Sequence, residues 1–254
     1  MTVGKYSASG NDFVIYHAFV NVDRSETAVR LCHRQEGVGA DGLIVLLPHP
    51  EYDFQWQFYN ADGSEAAMCG NGSRAAALYA HTHGLAGARM RFLTGAGVIE
   101  ATVEDNIVTS ELTPPVIIDK EIEAFGKRWW LIDTGVPHLT ALTESVEHFD
   151  IGQARELRHR YNANVNIAAV DNGVLRVRTY ERGVEDETLA CGTGMAASFL
   201  RARLEGKVPE RITVVPTGGE RLELAVKGET LTLKGAVRHT FDAEIDRLTN
   251  GVTF

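Results

Sequence analysis

Two stretches of the sequence repeat each other and decide the fold. The first is Tyr59-Asn-Ala-Asp-Gly-Ser-Glu-Ala-Ala-Met-Cys69-Gly-Asn-Gly72. The second is Tyr180-Glu-Arg-Gly-Val-Glu-Asp-Glu-Thr-Leu-Ala-Cys191-Gly-Thr-Gly194. Each runs from a tyrosine through a polar loop to Cys-Gly-x-Gly, and small residues typical of a tightly packed helix follow. A repeated unit of this kind predicts a chain built from two similar halves.

The two copies stay in register beyond the motif. A Thr-Gly pair lies about equally far after each motif cysteine, and an alternating strand pattern follows each pair. Another match lies upstream. The matched segments are Thr94-Gly95 with Thr217-Gly218, and Ser9-Gly10-Asn11-Asp12-Phe13 with Thr134-Gly135-Val136-Pro137-His138. Several landmarks kept in register indicate a duplication.

Strand patterns outnumber helical ones. Helices are predicted at Ser25–Gln35 and Ile151–Tyr161, and from the two motifs to Gly84 and Gly206. The alanine-rich surface of the first motif helix lets strands approach closely, which favours a helix enclosed by sheet. Period-two or β-branched runs predict strands at Asp12–Tyr16, Leu43–Leu47, Phe54–Tyr59, Val98–Val103, Ile107–Leu112, Asn166–Val170, Val174–Tyr180, Ile212–Val215, Leu222–Val226 and Thr230–Leu233.

Composition and charge argue against several classes of protein. The chain has 254 residues, a net charge of −9 and no long basic tract, which argues against nucleic acid or an anionic membrane as partner. No apolar run approaches the roughly 18 residues of a membrane span, and the N-terminus lacks a signal peptide's apolar stretch. Three scattered cysteines, Cys32, Cys69 and Cys191, form neither a disulfide framework nor a CxxC metal or redox site. A reduced, cytoplasmic protein is expected.

Each Cys-Gly-x-Gly motif places a thiol at the first turn of a helix. The N–H groups there bind anions, and the helix dipole favours the thiolate. Two equivalent thiols could face one bound molecule from either side. One thiolate would then remove the proton next to a carboxylate, and the other thiol would return a proton to the opposite face of that carbon. Backbone N–H donors would stabilise the carboxylate as it gains enolate character.

Several motifs resemble those of diaminopimelate epimerases, in the same order over almost the whole chain. The most specific is the segment from Asn60 to Arg74 with Cys-Gly-Asn-Gly-x-Arg, because proline-type racemases usually carry His where Asn71 stands. The others are Ser9–Phe13, Gly39-Ala-Asp-Gly42, Asn164-Val-Asn166, and Glu181-Arg-Gly followed by Glu187-Thr-Leu-Ala-Cys191-Gly-Thr-Gly194.

The resemblance implies an epimerase that needs no cofactor or metal and interconverts LL- and meso-2,6-diaminopimelate, in lysine and peptidoglycan precursor biosynthesis. It implies Cys69 and Cys191 as the acid/base pair, with His138 and Glu181 tuning or relaying protons at the thiols. Arg182 would bind the distal carboxylate with its forked guanidinium. The implied substrate contacts are Asn11, Asn60, Asn164, Glu181, Arg182 and the backbone N–H groups of Gly70, Asn71, Gly192 and Thr193.

The resemblance also implies the architecture. The fold class is α/β (α+β mixed), with two pseudo-symmetric strand-rich halves, each a mixed barrel-like sheet around a central helix. The predicted domains are 1–113, carrying Cys69, and 114–239, carrying Cys191, with the tail 240–254 returning to the first half. Pro114-Pro115 is the best candidate linker. The family implies a homodimer.

Three positions depart from the family pattern. Val136 stands where many members have Asn, two residues before the motif histidine. The loop before Cys191 is one residue longer than the common form, and Gly42 stands where some members have a Gln that contacts substrate. The first two departures leave the substrate stringency open.

Other interpretations compete with this one. Another cofactor-independent racemase of the proline or hydroxyproline type is the nearest. A dinucleotide-binding protein is favoured only by the matches to Gly-x-Gly-x-x-Ala, and no acidic residue near position 90 supports it. A thiol redox protein would join Cys69 to Cys191 during turnover. Cys32, on the apolar stripe of a predicted helix, is expected to be a core residue. His138 taken alone would more often be structural.

Overall fold

The chain folds into two compact units in a computed structural model that describes residues 1–246. One unit is Met1–Ser110 together with the chain from Gly235 onward, and the other is Glu111–Lys234. The predicted boundaries after residues 113 and 239 stay predictions. Residues 247–254 of the predicted returning tail lie outside the described residues.

The first unit alternates strands with two helices. In chain order its elements are β1 (Thr2–Ala8), β2 (Asn11–His17), α1 (Ser25–Cys32), β3 (Gly42–Leu47), β4 (Phe54–Asn60), α2 (Gly70–Thr82), β5 (Arg89–Thr94), β6 (Gly97–Glu104) and β7 (Ile107–Glu111).

The second unit follows the same plan. Its elements are β8 (Val116–Ala124), β9 (Lys127–Asp133), β10 (Pro137–Leu142), α3 (Ile151–Tyr161), β11 (Asn164–Asp171), β12 (Val174–Glu181), β13 (Asp186–Thr188), α4 (Gly192–Leu204), β14 (Arg211–Pro216), β15 (Leu222–Lys227) and β16 (Thr230–Ala236). The last described strand, β17 (Arg238–Glu244), pairs antiparallel with β1. Pro114-Pro115 lies in the irregular segment between β7 and β8.

The two units share one order of strand pairing. From β1 to β7 the neighbours pair antiparallel, parallel, antiparallel, parallel, antiparallel and antiparallel. The series β9, β10, β11, β12, β14, β15, β16 repeats that order. The register also matches, since Phe13 pairs with Gly42 in one unit and His138 with Asn164 in the other. The predicted internal repeat and the mixed strand-rich fold class are confirmed.

The motif helices lie at the centre of their units. Every residue of α2 from Gly70 to Ala80 is buried, and side chains from all seven strands β1–β7 join it in one apolar cluster. Its alanines Ala75, Ala76, Ala77 and Ala80 have no exposed surface, because short side chains let the surrounding strands pack against the helix backbone. Helix α4 packs in the same way on β9, β10, β11 and β12.

The other two helices share strands with the motif helices, and α1 packs on the alternate side chains of those strands. Helix α1 packs on β2, β3 and β4 and buries Cys32, where burial raises the pKa of the thiol to about 12. A thiol with so high a pKa keeps its proton at neutral pH and is unreactive, which agrees with the expected core role of Cys32. Helix α1 ends before the predicted Gln35, because the chain turns back over its last turn. A Cβ on Gly37 would lie 2.2 Å from the carbonyl oxygen of Arg30.

The first turn of α3 provides a test of local stability. The Asp150 carboxylate caps this helix by accepting a hydrogen bond from the Gln153 N–H at 3.0 Å. Asp150→Ala is expected to lower the free energy of unfolding by about 1 kcal/mol, the usual effect of losing an N-cap. Asp150→Ser, which keeps a capping oxygen, is the control in urea unfolding. Equal losses in both variants would contradict the capping role.

Candidate active site

Both motif cysteines begin a buried helix. Cys69 is the N-cap residue of α2 and Cys191 that of α4, and both have extended backbone. The first helical bonds run from the Ser73 N–H to the Cys69 carbonyl at 2.8 Å and from the Met195 N–H to the Cys191 carbonyl at 2.9 Å. Helix geometry therefore gives the N–H groups just after each cysteine no acceptor within the helix. Such N–H groups bind anions, and they include the four predicted from sequence, on Gly70, Asn71, Gly192 and Thr193.

In the first unit, hydrogen bonds link Asn71 to Asn11. The Cys69 Sγ accepts the Gly72 N–H at 3.3 Å. The buried Asn71 amide donates to the Asn11 oxygen at 2.8 Å and accepts from Arg74 at 2.7 Å. Asn11 in turn donates to an Asp41 carboxylate oxygen at 3.0 Å. The Asn11 side chain is thus held in place beside the start of α2 before any ligand binds.

An ionic network continues outward from Asn11, and no role was predicted for its members. The other Asp41 oxygen accepts from Arg34 at 2.7 Å, and Arg34 also pairs with Asp12. Lys5 pairs with Asp12 at 2.7 Å. The only sequence signal for Asp41 was its place in the Gly39–Gly42 motif.

Asn60 lies at the end of β4, and the hydrogen bonds that hold it stay in its own loop. Its side-chain nitrogen donates to the Ser64 hydroxyl at 3.0 Å, and its backbone N–H donates to the Ser64 carbonyl at 2.8 Å. A backbone bridge between Tyr59 and Glu65 closes the loop. The loop thus fixes the position of Asn60, without a direct hydrogen bond to Asn11 or Asn71 among those described.

In the second unit, a chain of polar contacts leads to Cys191. The Cys191 Sγ lies 3.4 Å from the Thr193 hydroxyl. That hydroxyl lies 2.9 Å from the His138 Nε2, and the Thr193 carbonyl accepts from Thr134 at 3.0 Å. Three of the predicted residues therefore form one connected group.

His138 is neutral in this setting. Its side chain is fully buried, and burial lowers its pKa to about 3, with the positive charge of Arg182 acting in the same direction. A neutral ring has one N–H and one nitrogen with a free lone pair. Which nitrogen carries the proton therefore decides where His138 donates a hydrogen bond and where it accepts one.

Asn164 and Arg182 are also brought together. The Arg182 backbone N–H donates to the Asn164 side-chain oxygen at 2.8 Å, and one guanidinium N–H donates to the Asn162 carbonyl at 2.9 Å. Glu181 is the last residue of β12, and its backbone lies opposite that of Asp186 in the antiparallel pair of β12 and β13.

The longer loop before Cys191 closes on itself. Glu185 has a left-handed backbone conformation with φ of 60°. Its carboxylate pairs with Arg158 of α3 at 2.6 Å and accepts the Gly183 N–H at 3.0 Å. A salt bridge from α3 and a backbone hydrogen bond thus hold this loop in place.

The other two departures have a clear structural setting. Gly42 begins β3 opposite Asn60, and a Cβ there would lie 2.7 Å from the Phe58 ring and 2.8 Å from the Tyr59 carbonyl oxygen, so a Gln does not fit without a shift of both. Val136 lies in the turn between β9 and β10, where its carbonyl accepts the Thr134 N–H at 3.2 Å. An apolar side chain there supplies no polar contact.

Residues 1–246 contain neither a candidate membrane-spanning helix nor a candidate metal-binding cluster. None of the helices in this part of the chain is long and apolar enough to cross a membrane. No group of three or more His, Cys, Asp or Glu side chains in the same range is placed to hold a metal ion.

The fold is one shared with racemases. It is similar to a probable proline racemase from Agrobacterium radiobacter, with a TM-score of 0.76, 15% identity, and coverage of 98% of this chain and 94% of that one. It is also similar to a phenazine biosynthesis PhzF-family protein from Bacillus anthracis, with a TM-score of 0.73, 16% identity, and coverage of 96% and 98%. These similarities place the chain in this structural class by its fold.

The sequence comparisons identify one family, whereas the structural comparisons identify a fold. The diaminopimelate epimerase family model matches residues 3–118 and 130–240. A diaminopimelate epimerase from Nitratiruptor sp. is 65% identical over 243 residues, covering 95% of this chain and 97% of that protein. The chain belongs to the diaminopimelate epimerase family, which confirms the resemblance drawn from its motifs.

Proposed function

We propose that this chain is an isomerase that interconverts LL- and meso-2,6-diaminopimelate without a cofactor, in lysine and peptidoglycan precursor biosynthesis. The observation that carries the proposal is that Cys69 and Cys191 each occupy the N-cap position of a buried helix, in a chain that matches the model of this family. The name of the Nitratiruptor relative supports the choice of substrate.

The two thiols divide the proton transfer between them. One cysteine, as thiolate, takes the α-proton, and the electron pair of the broken C–H bond passes into an enolate formed with the carboxylate. The other cysteine, as thiol, gives its proton to the opposite face of the carbon and becomes the thiolate. Atoms and charge balance without an oxidant, and the reverse reaction exchanges the roles. A thiol suits both roles because its pKa can lie near the working pH.

The carbanion needs the strongest stabilisation. The N–H groups of Gly70 and Asn71, and those of Gly192 and Thr193, are candidates for the carboxylate as it gains charge. Preformed donors at a helix start need no reorganisation during the reaction, and the helix dipole adds to their effect.

The polar side chains position the rest of the substrate. Asn11 is already held by Asn71 and Asp41, and Asn164 by Arg182 and the Pro137 carbonyl. A site held in place before binding loses less entropy when the ligand arrives. We assign Asn11, Asn60, Asn164 and Glu181 to the substrate's polar groups, Arg182 to its distal carboxylate, and His138 and Glu181 to tuning the thiols.

Further parts of the proposal concern location and assembly. The chain acts in the cytoplasm as a homodimer, with diaminopimelate as its small-molecule partner and no nucleic-acid or membrane partner. The net charge of −9 argues against a nucleic-acid or anionic-membrane partner, and three scattered cysteines without a CxxC pair suit a reducing compartment. The homodimer is what membership of the family implies.

The experiment is an interconversion assay with the purified, reduced chain. LL-diaminopimelate should yield meso-diaminopimelate, and the reverse, until the two reach one equilibrium ratio from either side. Proline and hydroxyproline are the comparison substrates, because the nearest alternative is a racemase of that type. Conversion of either of these with none of diaminopimelate would overturn the proposal in favour of that alternative.

A further inference from the structure

Three polar side chains lie inside the second unit where the first unit has apolar ones. These side chains belong to His138, Asn166 and Thr179, and the matched register gives each of them an equivalent position in the first unit. All three are buried, with at most 4% of their surface exposed. The residues at the same positions in the first unit are Phe13, Ile44 and Phe58. Burying polar groups has a cost that the first unit avoids, so the fold itself does not require them.

Hydrogen bonds fix the orientation of the Asn166 amide. Its nitrogen donates to the Leu139 carbonyl at 2.9 Å, and its oxygen accepts from the Thr179 hydroxyl at 2.8 Å. A carbonyl can only accept, so the amide nitrogen must lie on the Leu139 side. The same nitrogen lies 3.1 Å from the His138 Nδ1.

The amide orientation determines the tautomer of the histidine ring. Because the Asn166 nitrogen is a donor, a proton on Nδ1 would have no acceptor there, so Nδ1 carries the lone pair. The proton then lies on Nε2, which has the Thr193 hydroxyl at 2.9 Å as acceptor. The Asn164 nitrogen lies 3.4 Å from Nε2, but its acceptor is the Pro137 carbonyl at 3.3 Å, so it does not need a lone pair on Nε2.

We propose that Asn166 and Thr179 are positioning residues that hold His138 with its proton on Nε2, so that the Thr193 hydroxyl donates to the Cys191 sulfur. A hydroxyl that accepts from His138 directs its own proton elsewhere, and the Cys191 Sγ lies 3.4 Å away. Donation to sulfur favours the thiolate. The opposite tautomer would turn the Thr193 proton toward the ring and leave Cys191 facing a lone pair, which favours the thiol.

The same arrangement makes the two cysteines unequal. At the Cys69 helix the residue matching Thr193 is Asn71, and it donates to Asn11. The residue matching His138 is Phe13, which carries no proton to direct. In the part of the chain that the structure describes, the Cys191 sulfur is therefore linked to a histidine through a hydroxyl, whereas Asn71 and Phe13 provide neither group at the matching positions. The effect of this difference on turnover rests on the proposed function. The tautomer of His138 and the preference of Cys191 for the thiolate do not depend on that function.

The first test is the ¹⁵N NMR spectrum of the full chain labelled at its histidines. His138→Phe, which takes the residue of the first unit, assigns the His138 signals by their loss. The expected spectrum has the proton on Nε2 at neutral pH, and Asn166→Asp, which puts an acceptor beside Nδ1, should move the proton to Nδ1 or charge the ring. A proton on Nδ1 in the unchanged chain would overturn the assignment. A spectrum of Asn166→Asp identical to that of the unchanged chain would overturn it as well.

The second test follows the sulfur. In a chain carrying Cys32→Ala and Cys69→Ala, iodoacetamide can modify only Cys191, and intact mass gives the rate. Thr193→Val should slow this alkylation at neutral pH by about tenfold, as expected for one lost hydrogen bond to a charged group, and Thr193→Ser should restore it. Equal rates for Val and Ser would contradict the role of the hydroxyl. Neither test uses diaminopimelate, so failure here is distinct from failure of the proposed function.

Discussion

Cys69→Ala and Cys191→Ala are each expected to lower the interconversion of LL- and meso-diaminopimelate by roughly 10²–10⁴-fold, the usual contribution of a positioned acid or base. Each variant removes one of the two groups that exchange protons with the α-carbon. Because the two act in sequence within a single turnover, the double variant should be little worse than either single one. The measurement is the initial rate in both directions.

Cys32→Ala is the matched control for the thiol variants. Cys32 lies in a separate apolar cluster with Leu31, Val45 and Tyr59. Its replacement should leave the rate unchanged while costing some stability through the small cavity it leaves. A loss of rate in Cys32→Ala as large as in the other two would overturn the assignment of the thiols.

Gly194→Ala is expected to destabilise the chain by about 1–3 kcal/mol, the usual cost of forcing extra volume into a packed core. Alanine in a helix normally stabilises by up to about 1 kcal/mol over glycine, so helix propensity alone predicts the opposite sign. The close packing decides between them. A Cβ at Gly194 would lie 2.3 Å from the Asn166 side-chain oxygen and 3.0 Å from the Thr179 hydroxyl.

The repeat supplies the control for this prediction as well. Gly72 holds the same place in the first motif, and its nearest contacts would be the Cys69 Cβ and Ile44 Cδ1, both at 3.3 Å. Gly72→Ala should therefore cost less than Gly194→Ala in urea unfolding. Gly194→Ala should also disturb the ring signals of His138, since it pushes on Asn166. A stabilised Gly194→Ala chain with unchanged histidine signals would contradict the packing described here.

Much of the fold could be predicted from the sequence because the sequence contains an internal repeat. The Cys-Gly-x-Gly motifs predicted where α2 and α4 begin, and both helices do begin directly after their cysteines. The end of α1 was misplaced by a few residues, because it depends on how the chain from Gly37 to Ala40 folds back on the helix. Such a return is a tertiary effect that local periodicity does not encode.

The site was predicted less evenly than the fold. Cysteines, asparagines and the histidine stood in recognisable motifs, but the supporting residues Asp41, Asn166 and Thr179 had no assigned role. Their importance comes from tertiary contacts that join residues distant in the chain, such as the strand pairing of Asn166 with Thr179 and the hydrogen bond from Asn11 to Asp41. One signal was present: Asn166 is a polar residue in a strand whose other side chains from Val165 to Ala169 are apolar and buried. A buried polar residue in such a run needs partners.

The central claim, that two different thiols carry the proton, is tested most directly by the fate of solvent deuterium. LL-diaminopimelate is incubated with the chain in deuterated water and sampled at low conversion by NMR. A two-thiol mechanism predicts one deuterium at the inverted α-carbon of the meso product and protium retained in the remaining substrate, because each thiol serves one face. The meso isomer as starting material should give the mirror result. Deuterium appearing equally fast in the unconverted substrate would mean that one group serves both faces, and that result would contradict the account.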